Sequence, residues 1–285
     1  MASYSSQGLV LKKTKLGETD LIITLLGEGG HQIRAVAKGA RKPTVRSSAQ
    51  LELFSVVDLL LHEGRSLDVI SEVRLVEPRA DCRSTPERLA AAAVLCEFIE
   101  IVTRESDVEP RLYQMTLEAL RCMGIIVEDG LEFLCAAALI KSAAQIGYAP
   151  SFFECALCGT QIEAQDTEFY ACSVESGGVI CDECLSENTE SSYEPDVSYR
   201  EMSEEYGGIS HDNSMRLKRI SYAHLAWLRL CMGARFSQIT DFAAENPRGF
   251  HEVGSGILLL AQEWIQVHLD IRLKSARLLR DFLQE

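Results

Sequence analysis

The sequence is poor in proline, with 7 in 285 residues, while 47 % of its residues are apolar. Collagen-like, mucin-like and wholly disordered chains are thereby excluded. It also lacks long apolar runs. Its two richest, Leu89 to Val102 and Ile257 to Leu269, are broken by Glu97, Glu100, Gln262 and Glu263. Neither approaches the ~18 uninterrupted apolar residues of a membrane span. The start, Met1 to Gly8, lacks the basic and then apolar segments of an export signal. A cytoplasmic protein in a reducing compartment is expected, with no membrane among its partners, so its 10 cysteines call for a role other than disulfides.

Common catalytic motifs are missing as well. There is no G-K-[ST] phosphate loop, no G-x-S-x-G elbow, no G-x-G-x-x-G and no H-E-x-x-H. No histidine is followed two residues later by glutamate, as a zinc deaminase requires. No enzyme is expected.

Charge is unevenly spread. The formal net charge is −14, from 28 basic and 42 acidic residues. Up to Leu51, however, eight basic residues face three acidic ones, a net of +5. Between His31 and Leu51 there is no acid, while Arg34, Lys38, Arg41, Lys42 and Arg46 all fall there. Conversely, Ser142 to Tyr199 contains eleven acids and no Lys or Arg. Five cations free of acids can neutralise phosphates, so these five are the candidate nucleic-acid contacts. Up to Val76 only Tyr4 and Phe54 are aromatic, too few for a platform on which successive bases stack. Binding is therefore expected to be salt-dependent, weak in sequence preference and tolerant of both single strands and duplex.

An α+β chain of more than one domain is expected. Gly8–Thr14, Asp20–Leu26, His31–Lys38, Leu53–His62 and Leu67–Val76 read as five short strands. In the third, Ile33, Ala35 and Ala37 alternate with Arg34, Val36 and Lys38, which puts two cations on one face. A small β-barrel such as an OB-fold fits residues 1–80, and a five-stranded sandwich or SH3-like barrel fits nearly as well. Residues 81–285 read as an α-helical domain. Its first helix opens at Ser84-Thr85-Pro86-Glu87 and places Leu89, Ala92, Cys96 and Ile99 on one stripe. Helices near Arg111–Met123 and Leu131–Ile146 follow. Another, from about Ser214, carries Ile220, Ala223, Trp227 and Cys231, and a single long one runs from Ser255 to Phe282. Residues 186–212 are acidic and read as a linker.

Within 151–190 lie two C-x-x-C pairs, Cys155/Cys158 and Cys181/Cys184, 22 residues apart. Four thiolates so arranged can enclose one structural Zn²⁺ tetrahedrally and leave no open position for catalysis. The other six cysteines read as small core hydrophobes, and Cys172, inside the loop, is the one competitor as a ligand.

Several motifs, in order, resemble those of one family: Gly8-Leu9-Val10-Leu11, Gly17-Glu18-Thr19-Asp20-Leu21-Ile22, Ala37-Lys38-Gly39-Ala40-Arg41-Lys42-Pro43, Gly147-Tyr148-Ala149-Pro150, and Ser176-Gly177-Gly178-Val179-Ile180-Cys181. The chain resembles the zinc-bearing branch of the RecO family over nearly its whole length, apart from the acidic stretch Glu187–Asp212. The resemblance implies an OB-fold and a helical domain with a zinc finger, and binding to single- and double-stranded DNA. It further implies annealing of complementary strands, and partnership with RecR and single-stranded DNA-binding protein (SSB) in loading RecA, on the nucleoid. Lys38, Arg41 and Lys42 are the DNA contacts it implies, and the four paired cysteines the zinc ligands. An RNA-binding accessory of translation or transcription is the alternative, and a metal-dependent hydrolase a distant third.

Overall fold

The computed structural model describes residues 2–42, 47–163, 169–187 and 217–283. These form two compact units, residues 1–125 with 273–285, and residues 126–272. The strands end near residue 77, but the first unit runs on to residue 125 and takes in the last helix.

The first unit is built on five strands: β1 (Ser3–Leu16), β2 (Asp20–Gly27), β3 (Gln32–Ala37), β4 (Val56–His62) and β5 (Asp68–Glu77). They close into a barrel in the order β1-β2-β3-β5-β4. β1 is long enough to close it. Ser3–Leu9 pairs with β4, and Gly8–Leu16 pairs with β2 across a register shift between Val10 and Lys12. All pairings are antiparallel except β3 with β5, where Ala35 lies opposite Asp68. A five-stranded closed sheet with this one parallel contact is the OB-fold pattern. Its interior is filled by Val10, Ile23, Leu25, Ala35, Val57 and Leu61. The alternation expected on β3 is present: Ile33, Ala35 and Ala37 are buried, while Arg34 and Lys38 are exposed. A short helix, α1 (Ser47–Gln50), lies between β3 and β4.

α2 (Pro86–Val102) begins where the sequence signals it, with the Thr85 hydroxyl accepting from the Arg88 N–H and Pro86 in the first turn. Ala92, Cys96 and Ile99 are buried, but Leu89 in the first turn is 39 % exposed, which corrects the expected stripe. α3 (Pro110–Ile125) follows, and α9 (Ser275–Leu283) packs on α2.

The second unit centres on α4 (Leu131–Gln145) and α8 (Pro247–Leu269), with α6 (Tyr222–Gly233) and α7 (Phe236–Glu245) against them. Phe133, Trp227 and Phe250 meet edge-to-face with centroids 4.9–5.5 Å apart. Two expectations are corrected here. The chain returns at residues 217–221 as a strand, β8 (Lys218–Ser221), so Ile220 packs from a sheet and α6 buries Leu225, Leu228 and Cys231 rather than Ala223. The single terminal helix is two: α8 stops at Asp270, whose backbone is left-handed, and α9 restarts at Ser275. Leu278, on α9, is 54 % exposed.

A small module completes the unit: β6 (Phe169–Ser173), β7 (Gly178–Ile180) and β8 in the order β7-β6-β8, with α5 (Asp182–Glu187) after β7. Most of the expected acidic linker, residues 188–212, lies outside the described residues.

Candidate nucleic-acid interface and metal centre

Four of the five candidate contacts fall on β3 and the loop after it. Arg34 lies on the outer face of β3, and Lys38, Arg41 and Lys42 are exposed beyond its end. Arg46 lies outside the described residues. Arg34, Lys38, Arg41 and Lys42 make no ion pair among the described residues, whereas Lys12 and Lys13 are neutralised by Glu100 at 2.8 Å and Glu52 at 3.0 Å. Lys15, exposed near the end of β1, remains beside them. Its partner in the ladder is Leu21, which in turn pairs with Ala37, so Lys15 sits two strands, about 10 Å, from the base of the basic loop. It is not among the five cations marked in the sequence; the short Gly17-Glu18-Thr19 connection between β1 and β2 is the local signal that places it.

The loop is held by the β1–β2 turn. The Gly39 N–H donates to Asp20 Oδ1 at 2.8 Å, and the Thr19 hydroxyl donates to the same oxygen at 2.8 Å. The Arg41 N–H donates to the Thr19 carbonyl at 2.9 Å, and Arg41 Nη1 to the Gly17 carbonyl at 3.0 Å. Gly39 has φ of +66°, a left-handed conformation that a side chain would disfavour. The Gly39 N–H, then the Thr19 hydroxyl, and the nearby Lys38 and Lys42 charges hold the Asp20 carboxyl below its usual range. Neither aromatic offers an exposed stacking platform: Phe54 is buried, and Tyr4 is half-buried against the barrel core with its hydroxyl bonded to Asp68.

The four paired cysteines come together. Their Sγ atoms all lie within 4.8 Å of one another, and Cys158 Sγ is 3.6 Å from Cys181 Sγ. Sulfurs ~2.3 Å from a central tetrahedral zinc stand ~3.8 Å apart, so the donor set fits that ion. The first pair sits in a tight turn closed by Cys155 N–H to the Thr160 carbonyl at 2.7 Å and Gly159 N–H to the Cys155 carbonyl at 2.9 Å. Cys181 precedes α5 and Cys184 lies in its first turn. The two halves join through Ala156 N–H to the Val179 carbonyl and Ser151 N–H to the Gly177 carbonyl. At Gly178, φ is +142° and a Cβ would fall 2.1 Å from the Ser151 carbonyl oxygen, so no other residue fits.

Electrostatics also favour a cation. The Thr160 hydroxyl and N–H lower the Cys158 thiol to about 6. At Cys155 burial opposes ionisation, but the N–H groups of Cys181, Cys158 and Leu157 outweigh it and the thiol is lowered. Cys184 is pushed up, first by its bond to Cys158 and then by Cys181. Four adjacent thiolates repel one another unless a positive ion lies among them. Cys172 is not part of the cluster; it is buried in β6, and burial raises its thiol to about 12. The other five cysteines are buried too.

The module is fixed to its own unit. Arg229 of α6 donates to the Phe152 carbonyl at 2.9 Å and the Ile162 carbonyl at 2.6 Å, and stacks over Phe153. His268 Nε2 bonds the Val174 carbonyl at 2.8 Å.

Among the described residues, no helix is long and apolar enough to cross a membrane. The family model "Recombination protein O N terminal" matches residues 1–79, and "Recombination protein O C terminal" matches residues 83–204. The two models thus reach residue 204, short of the nearly whole-length resemblance read from the motifs. The chain is similar to the DNA repair protein RecO of Cutibacterium acnes, at 34 % identity over 204 residues, 70 % of this chain and 81 % of that protein. It is 32 % identical to the RecO of Desulfitobacterium hafniense over 191 residues, 66 % of this chain and 67 % of that one. With the RecO of Thermobifida fusca it shares 35 % over 186 residues, 65 % and 74 % of the two chains.

Proposed function

Because this chain belongs to the RecO family, and so to DNA repair and recombination, we propose that it works there as a DNA-binding mediator rather than as an enzyme. The observation that carries this reading is the exposed group Arg34, Lys38, Arg41 and Lys42, which make no ion pair among the described residues, on a barrel of the OB type. Cations that reach phosphates and make no base-specific contact suit both single strands and duplex. A protein that holds both can bring complementary strands together and anneal them. With RecR it would open SSB-coated strands to RecA. The names of its relatives favour DNA over RNA as the partner.

The metal reading is that Cys155, Cys158, Cys181 and Cys184 hold one zinc ion. Bound there, zinc supplies fold stability, since four sulfurs fill its shell. The stretch from residue 142 to 199 carries eleven acids and no Lys or Arg. Of the cations that β8 and α6 bring against the module, Lys218 is paired with Glu263 and Arg229 is held on backbone carbonyls, which favours structure or protein contacts over phosphate binding there.

Annealing of SSB-coated complementary DNA, with and without RecR, tests the reading. Annealing that needs this protein, is promoted by RecR and is absent for RNA is the expected result. No annealing at any salt concentration, or equal activity on RNA, would contradict it.

A further inference from the structure

We propose that Asp20 is a positioning residue for DNA binding: its side-chain oxygen, although carried by a negative group set among cations, favours affinity for phosphates by fixing the Lys38–Lys42 loop. The inference rests on that loop being the DNA contact.

By charge alone Asp20 should weaken binding. It stands near enough to Lys38 and Lys42 for their charges to act on it, and an isolated carboxylate there would repel a phosphate. Its geometry argues otherwise. Oδ1 is turned inward to the Gly39 N–H and the Thr19 hydroxyl, each at 2.8 Å. Gly39 lies between Lys38 and the Ala40-Arg41-Lys42 segment, and Ala40 is buried in the barrel core. Asp20 therefore holds the loop at its left-handed residue. Arg41 adds two further ties to the same turn, through its N–H and through Nη1. One guanidinium group is thus partly spent on the scaffold, leaving Lys38 and Lys42 as the freer contacts. Two motifs separated in sequence, Gly17-Glu18-Thr19-Asp20 and Lys38-Gly39-Ala40-Arg41-Lys42, act as one unit: the first fixes the second. A loop already ordered loses less freedom when it binds, and this is the source of the affinity.

Charge-matched variants separate the two effects. Asp20→Asn removes the charge and keeps an oxygen acceptor for the Gly39 N–H; Asp20→Ala removes both. Gly39→Ala keeps every charge and disfavours the left-handed backbone. Affinity for a fluorescent 30-nucleotide oligothymidylate is measured at low salt, well below the melting temperature of each variant. Asp20→Asn is expected to bind more tightly than the wild type. Asp20→Ala is expected to bind about three- to tenfold more weakly than Asp20→Asn, the range set by ordering one or two side chains. Gly39→Ala should also bind more weakly than the wild type, and it carries the test if Asp20→Ala does not fold. Equal affinity for Asp20→Asn and Asp20→Ala would overturn the proposal, as would a lowered melting temperature with no change in affinity. Lys38→Ala/Lys42→Ala is the separate control. If it binds as the wild type does, the loop is not the DNA contact, and the reading beneath the proposal has failed rather than the positioning role alone.

Discussion

At the scale of residues, identity and spacing decide chemistry, and place in the fold decides which cysteines meet. The two C-x-x-C pairs were legible because ligand spacing is a local property: each pair needs only one tight turn. The exclusion of Cys172 was not legible, because it depends on β6 placing that thiol in a dry interior away from the cluster. Cys155→Ser is expected to reduce bound zinc from about one equivalent to near zero, measured by atomic emission on purified protein. Cys172→Ser, though it puts a hydroxyl in an apolar site, should retain the full equivalent. Retention of zinc by Cys155→Ser would remove that residue from the ligand set. Among the cations the sequence marked five positions but could not rank them. Lys12 and Lys13 are quenched by Glu100 and Glu52, which are distant in sequence, and the ladder register puts Lys15 in line with Leu21 and Ala37, on the face opposite to Arg34.

At the scale of elements, strands and helices with strong local signals were legible and those fixed by distant partners were not. The five barrel strands follow alternation and turn residues, and α2 follows its cap. β8 is four residues long, and its partner β6 lies nearly fifty residues earlier, so nothing local announces it. The break between α8 and α9 is similar: residues 255–282 keep a helical pattern, but the chain turns at Asp270 and restarts where the Glu97 carboxylate accepts from the N–H groups of Lys274 at 3.1 Å and Ser275 at 2.8 Å. Glu97 thus caps α9 from α2, with its negative charge at the positive end of the helix dipole. Glu97→Ala is expected to destabilise the first unit by about 1 kcal/mol, as the loss of a cap does, read from urea unfolding. Unchanged stability would mean that α9 needs no such anchor.

At the scale of the molecule, the net charge of −14 is an average over unlike regions. The cationic stretch is on the barrel and the stretch without Lys or Arg surrounds the cysteine cluster, a division already visible as counts along the chain. What the counts could not supply is the ordering of the basic loop against the β1–β2 turn, which required the hydrogen bonds of Asp20, Thr19 and Gly17. The central claim is that DNA is held through its phosphates by this one cationic surface. The salt dependence of single-strand binding tests it most directly, because each phosphate neutralised contributes about −0.7 to the slope of log K against log salt. The wild type is expected to give a slope of about −3. Changing Lys38, Arg41 and Lys42 together to Ala should make it shallower by about 2, with much weaker binding at low salt. An unaltered slope and affinity in the triple variant would contradict the account.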